Sequence, residues 1–486
     1  MSSNVSNILD RNKIKPKRIA SLDFQRGLAI YFMTLMHTFE HLYDYTWVKE
    51  EPEKILELPL IALIFGLTLG FFLSWNAYFL LISSIVNTIS MFRKMPNLDK
   101  QHQLLVKQLL TGTGILLAGL LADNLGYWGY FGQSTLSGDW TNLRPLYERI
   151  FAMHTLQIIG WCLIINGTVN FFLLRKNGHE KYFRNIIVYG VLVVAIIIAS
   201  PFIHKFVDSL SWKIPENPPP GITDNTRWPS VYFQAENASL KAWICAILAG
   251  DMEPLFPYLA TSFIGSMIGL TIGRPKQVKR FPLIAGLSGV GIMGIGGIFI
   301  AIGQYNLSNG RPTLGNYLAI IGGQIAVIMF LFWAVEYRGN SERFANNPIV
   351  KHFRLWGMAS LTIYCLQIFE ILPRWILTVI LSAFGKPINL LQTAVFGLGK
   401  EYLALLVGLF SILYFEALIS IWSRFNFKYS FEWFIVKMIT SGSKLSTNRL
   451  NVDLIMNKVQ WMSFKTTSKN KFIAKGTIKT TKFKRK

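Results

Sequence analysis

Between Arg18 and Asp44 the chain reads RIASLDFQRGLAIYFMTLMHTFEHLYD, which puts Asp23, Arg26, His37, Glu40, His41 and Asp44 in or beside an apolar stretch long enough to cross a membrane. Ionisable groups are expensive in hydrocarbon and face a protein or water-filled interior when they occur there. On an α-helix at 100° per residue, the offset of 11 from Arg26 to His37 returns to within about 20° of the same direction, about 16 Å along the axis. Glu40, His41 and Asp44 continue that stripe in one direction, and Asp23 begins it in the other. An imidazole beside carboxylates serves as a general base near neutral pH or accepts an acyl group covalently. A guanidinium further along the stripe suits a phosphate or carboxylate. The bland alternative is that Arg26 snorkels to headgroups and His37 bonds to a neighbouring helix.

These residues need a scaffold, and composition says which. Of 486 residues 51% are hydrophobic and only 15% charged, far below the charged fraction of about 25% in water-soluble domains. Apolar stretches of membrane-spanning length recur, at roughly 21 to 41, 69 to 92, 104 to 122, 150 to 172, 185 to 204, 254 to 273, 281 to 302, 316 to 336, 355 to 373 and 402 to 422. The expectation is an all-α polytopic bundle of about ten transmembrane helices. An eleventh is open around 374 to 384 or in LELPLIALIFGLTLGFF, which also reads as an interfacial or re-entrant piece.

The net charge of +23 does not point to nucleic acid, because Lys and Arg gather in short loops on alternate sides of the spans and in the terminal segments. Arg11 to Arg18, Arg93 to Lys107, Arg175 to Arg184, Arg274 to Arg280 and Arg338 to Arg354 all fall on one side, so the positive-inside rule places both termini in the cytoplasm. The first hydrophobic segment reads as a retained span, without a signal-peptide cleavage pattern. The expected organisation is a basic cytoplasmic segment over 1–20, a transmembrane domain over 21–423 and a basic cytoplasmic tail over 424–486. That tail holds 15 of the 49 Lys and Arg residues, suiting an anionic inner leaflet or a plain solvated extension. In a prokaryote the membrane would be the plasma membrane.

Cys162, Cys245 and Cys365 show neither disulfide nor zinc spacing, and no metal is expected. GVGIMGIGG at 289–297 lies inside an apolar span, where close helix packing explains it better than phosphate binding. On the outer side, 123–148 and 205–253 interleave Trp and Tyr with Asn and Asp, which fits a sugar-like acceptor or an interfacial aromatic belt. Sequons stand at Asn237 and Asn306.

The R-x10-H spacing of Arg26 and His37, introduced by Leu22 and Asp23 and followed by Gly27, resembles the signature of the acyltransferase-three family. RIASLDFQRGLAIYFM, YFLLISSIVN and HTLQIIGW resemble segments of the heparan-α-glucosaminide N-acetyltransferase family and its prokaryotic relatives. GMASLTIYCLQ at 357–367 and FKYSFEWFIVKMIT at 427–440 resemble blocks of the bacterial YeiB-like proteins. Together they span roughly residues 18 to 440.

The resemblance implies a multi-pass membrane acyltransferase that takes an acyl group, commonly acetyl, from cytoplasmic acyl-CoA as donor substrate to a hydroxyl or amine of an outer acceptor such as a carbohydrate or glycolipid. It makes His37 the catalytic histidine and Arg26 a donor-binding residue. The animal acetyltransferase has Asn in place of His37, and Trp47 or Val48 falls near the place of its active histidine, so His41 and His154 stand as alternatives. The candidate catalytic set is His37, His41, Glu40 and Asp23. Arg26, Tyr364 and Gln367 would bind the donor, and Asp44, Asp251 and His154 the acceptor. Asp251 and Glu253 resemble the acidic start of the corresponding span in the heparan family, whereas Glu432 and Trp433 read as an interfacial helix end without chemistry. Trp356, Gly357 and Ile363 depart from the YeiB-like block. The lipid bilayer is the other expected partner, and homo-oligomerisation stays open. Two competing classes are a proton-coupled secondary transporter using the same Asp, Arg and His track, which shows no paired repeat here, and a non-catalytic membrane scaffold.

Overall fold

A computed structural model describes residues 17–47, 53–54, 60, 66, 76–96, 101–127, 129–210, 212, 239–250, 253–274, 278–304, 311–440 and 450–464. Among them the regular elements are helices, with two isolated bridges and no strand. In chain order the α-helices are α1 (Ala20–Leu42), α2 (Asn76–Lys94), α3 (Gln101–Leu125), α4 (Tyr130–Ser137), α5 (Arg144–Ile150), α6 (Thr155–Leu174), α7 (Tyr182–Asp208), α8 (Leu240–Ala249) and α9 (Leu255–Gly273). They continue with α10 (Phe281–Ala301), α11 (Leu314–Phe332), α12 (Ser341–Asn346), α13 (Pro348–Met358), α14 (Ser360–Cys365), α15 (Ile371–Ala383), α16 (Glu401–Ser423), α17 (Phe431–Thr440) and α18 (Val452–Asn457).

Seven helical stretches among the described residues are long and apolar enough to cross a membrane: Gln101–Ser137, Arg144–Leu174, Tyr182–Asp208, Leu255–Gly273, Phe281–Ala301, Leu314–Tyr337 and Glu401–Ser423. The protein is therefore a multi-pass, all-helical membrane protein. α7 shows why lipid must be the solvent: Ile187, Val191, Val194, Ile198 and Phe202 form an exposed apolar face along its length.

The three remaining expected spans differ for physical reasons. α1 has the length but carries Asp23, Arg26 and Glu40. α2 is rich in Ser, Asn and Thr, and the preceding residues 69–75 lie outside the described ones. The apolar run around 355–373 is broken rather than continuous. α13 stops at Ala359 (φ −113°, ψ 22°), α14 stops at Leu366 (φ −102°, ψ 20°), and a 3-10 turn, Gln367–Glu370, leads into α15. The segment 374–384, an eleventh-span candidate by composition, is thus the last piece of this broken path.

α1 is the hub of the bundle, packing on α2, α11, α13, α14 and α16. It approaches α13 backbone to backbone, because a Cβ on Gly27 would lie 1.6 Å from the Phe353 carbonyl oxygen, and Gly357 stands directly opposite. Beside it, α2, α6 and α9 are joined by a buried ladder. Ser84 bonds to Ser262 at 2.8 Å, Thr88 to Ser266 at 2.8 Å, and Asn166 Nδ2 donates to both Ser262 Oγ and Ser266 Oγ at 2.8 Å. Tyr189 of α7 and Asn170 donate to Asn166 Oδ1. With no hydrophobic drive between helices in lipid, such bonds and close packing hold them together.

The segment after 424 is more than a solvated tail. α17 packs against α3 and α14. Residues 450–464 strap the start of α1: Arg18 N donates to Gln460 O at 2.9 Å, Met462 N to Arg18 O at 2.8 Å, and Phe464 N to Glu336 O at 3.0 Å. The Arg354 guanidinium lies 4.4 Å over the Trp461 ring and donates to Ile455 O at 2.7 Å.

Candidate functional site

α1 delivers the expected stripe. Arg26 and His37 are each half-buried on α1, among the helices that pack on it. Arg26 makes no hydrogen bond to another described residue, and its buried Nε lacks a partner. The acids whose field reaches it are Asp23 and Glu432. Asp23 is already committed, accepting two bonds from Arg18 at 2.8 and 2.9 Å. It therefore anchors the start of α1 through this ion pair. A cation held this way in low dielectric calls for an anion.

His37 Nδ1 lies 3.2 Å from Gln367 Oε1. With the amide oxygen accepting, Nδ1 carries the proton and Nε2 keeps its lone pair, the tautomer a general base needs. The second break in the α13–α15 path puts Gln367 there, on the 3-10 turn that follows Leu366. Glu40 lies within electrostatic reach of His37.

His41 is differently placed. Its Nδ1 meets Glu370 Oε1 at 2.6 Å, the same oxygen lies 3.2 Å from Arg374 Nη1, and Thr38 Oγ1 donates to Glu370 Oε2 at 3.2 Å. Arg374, fully buried, also donates to Leu390 O at 2.7 Å and Gln392 O at 2.9 Å. Tyr127 stacks on His41, ring centroids 5.0 Å apart. This buried cation, anion and imidazole satisfy one another and lock the end of α1 to the broken path and the following loop.

The end of α3 and the start of α6 bring a second histidine to the same end of the bundle. His154 Nδ1 lies 2.9 Å from Asp123 Oδ1, and Gln157 Nε2 donates to Asp123 Oδ2. Tyr364 lies within electrostatic reach of Asp123 and Glu253. Glu253 is buried, with the Thr155 hydroxyl within hydrogen-bonding reach of its carboxyl.

Asp44 is not drawn in. It lies past α1, where its Oδ1 accepts from Thr46 N at 3.0 Å and Thr46 Oγ1 at 2.7 Å, and those bonds hold its carboxyl below the usual carboxylate range. Asp251, the sequons at Asn237 and Asn306, and residues 213–238 of the Pro- and Trp-rich 205–253 segment lie outside the described residues.

Sequence reasoning missed Glu370, Arg374, Asp123 and Tyr127, and gave Glu432 to a surface helix end. Glu370 and Arg374 stand four apart in an apolar run, which is an i,i+4 ion-pair signal. Glu432 instead accepts from Leu361 N at 2.7 Å, Thr362 N at 3.2 Å and the Thr362 hydroxyl, satisfying backbone freed by the break at Ala359. No group of three or more His, Cys, Asp or Glu among the described residues is arranged for a metal ion. Compared with known proteins, the chain matches no family model and no curated protein sequence.

Proposed function

We propose that this protein is an integral membrane acyltransferase of about ten spans with both termini cytoplasmic, moving an acyl group, acetyl first among them, from cytoplasmic acyl-CoA to a hydroxyl or amine of an outer carbohydrate or glycolipid. One observation carries the reading: Arg26, without a side-chain hydrogen bond to a described residue, and His37, whose Nδ1 is turned to Gln367, stand half-buried on a single helix. Arg26 supplies the counter-charge for a phosphate of the donor. His37, near the other end of the stripe, handles the proton of the transfer. The acceptor oxygen or nitrogen forms a bond to the thioester carbonyl carbon and gives up its proton, the carbon–sulfur bond breaks, and the thiolate is protonated as it leaves as CoA. His41 fits this role less well, because Glu370 and Arg374 already bind it into an ion pair.

The test uses protein in lipid nanodiscs, radiolabelled acetyl-CoA, and glucosamine and glucose as amine and hydroxyl probes. His37→Ala is expected to lower transfer by about 10²- to 10⁴-fold, the range for loss of a general base, while acetyl-CoA still binds. Transfer by that variant at the wild-type rate overturns the role of His37.

A further inference from the structure

The His154–Asp123 pair is built like a catalytic dyad, and the sequence analysis held His154 both as an acceptor-binding residue and as an alternative to His37. Gln157 holds the second oxygen of Asp123, so the carboxylate is fixed from two sides and can only accept from Nδ1 of His154. That fixes the tautomer and leaves Nε2 as the basic atom. The imidazole keeps some accessible surface, with 15% of its side chain exposed against 8% for Asp123. Three elements meet around it. Asp123 comes from α3 and Tyr364 from the broken path, while Glu253, whose backbone N donates to Met153 O at 3.2 Å, precedes α9. Glu253, only 1% exposed, adds a buried carboxyl beside the Thr155 hydroxyl at the start of α6. Tyr127, one turn beyond Asp123, stacks on His41 and ties this wall to the α1 stripe.

We infer that His154, positioned by Asp123 and Gln157, is the acceptor-side base of the proposed reaction, working opposite His37. This rests on the acyltransferase reading and divides between two imidazoles the proton handling given above to His37. His154 Nε2 takes the proton from the acceptor O–H or N–H as the new bond to the acyl carbon forms. The proton passes from His154 to Nε2 of neutral His37 and on to the thiolate as the carbon–sulfur bond breaks, so both imidazoles end the cycle neutral. The titratable groups around the pair are Glu253 and Tyr364, the latter within electrostatic reach of Asp123.

The experiment measures acetyl-CoA binding, transfer to the two probes and the pH profile of the rate for wild type, His154→Gln and Asp123→Asn in nanodiscs. Asp123→Asn keeps the side-chain shape and carries the test if His154→Gln does not fold. Expected are acetyl-CoA affinity within about twofold of wild type, transfer reduced about 100-fold or more in His154→Gln, and a displaced acid limb of the pH profile in Asp123→Asn. Transfer within about threefold of wild type and an unchanged profile in both variants overturn the assignment while leaving the acyltransferase reading intact. A wild-type protein that neither binds nor consumes acetyl-CoA removes that reading, and this one with it.

Discussion

The Asn166 ladder and the Arg26–His37 stripe both place polar side chains deep in the bundle, but their accounts close differently. In the ladder, Asn166 exchanges bonds with Ser262, Ser266, Asn170 and Tyr189, and Asn170 Oδ1 is the atom left over. On the stripe, Arg26 bonds to no described residue and the Gln367 amide nitrogen is buried without a partner. The first arrangement is what helix association in lipid requires. The second is left unfinished by the described residues, which is how a ligand site would differ from structural polarity. The His41–Glu370–Arg374 group lies beside the stripe but belongs with the ladder, because its charges are met internally.

Variants can break this contrast in order of expected effect. Arg374→Met strips the buried Glu370 of its cation and two carbonyls of their donor, and is expected to destabilise by about 3–5 kcal/mol, read as a large loss of melting temperature in detergent. A melting temperature close to wild type there would mean that the group is not structural. Asn166→Ala, which empties the centre of the ladder, is expected to cost about 1–3 kcal/mol without altering acetyl-CoA binding. Reduced binding in that variant would blur the line between the two regions. Arg26→Met removes an unpaired cation rather than a pair, so its melting temperature is expected to match or exceed that of wild type. A clear drop would show that Arg26 has a structural partner.

Much of α1 was legible in the sequence, because its chemistry is periodic and local: an offset of 11 on one helix needs no tertiary knowledge. The partners were not legible, since Gln367 and Glu370 meet His37 and His41 across more than three hundred residues. The breaks at Ala359 and Leu366 also escaped, because neither carries Pro or Gly and the apolar run through them reads as one helix. Gly357, a departure from the YeiB-like block, has a packing reason here in its contact with Gly27. In the tail, abundant Lys masked the docking residues Trp461, Met462 and Phe464, whose contacts are long-range backbone bonds and aromatic packing.

The most direct measurement is calorimetric binding of acetyl-CoA and CoA to the full chain in nanodiscs, comparing wild type, Arg26→Met and Asn166→Ala. The account expects wild type and Asn166→Ala to bind alike and Arg26→Met to bind at least about tenfold more weakly, a loss of about 1.4 kcal/mol or more. Equal binding by all three, or no binding by wild type, would contradict the claim that Arg26 awaits an acyl-CoA.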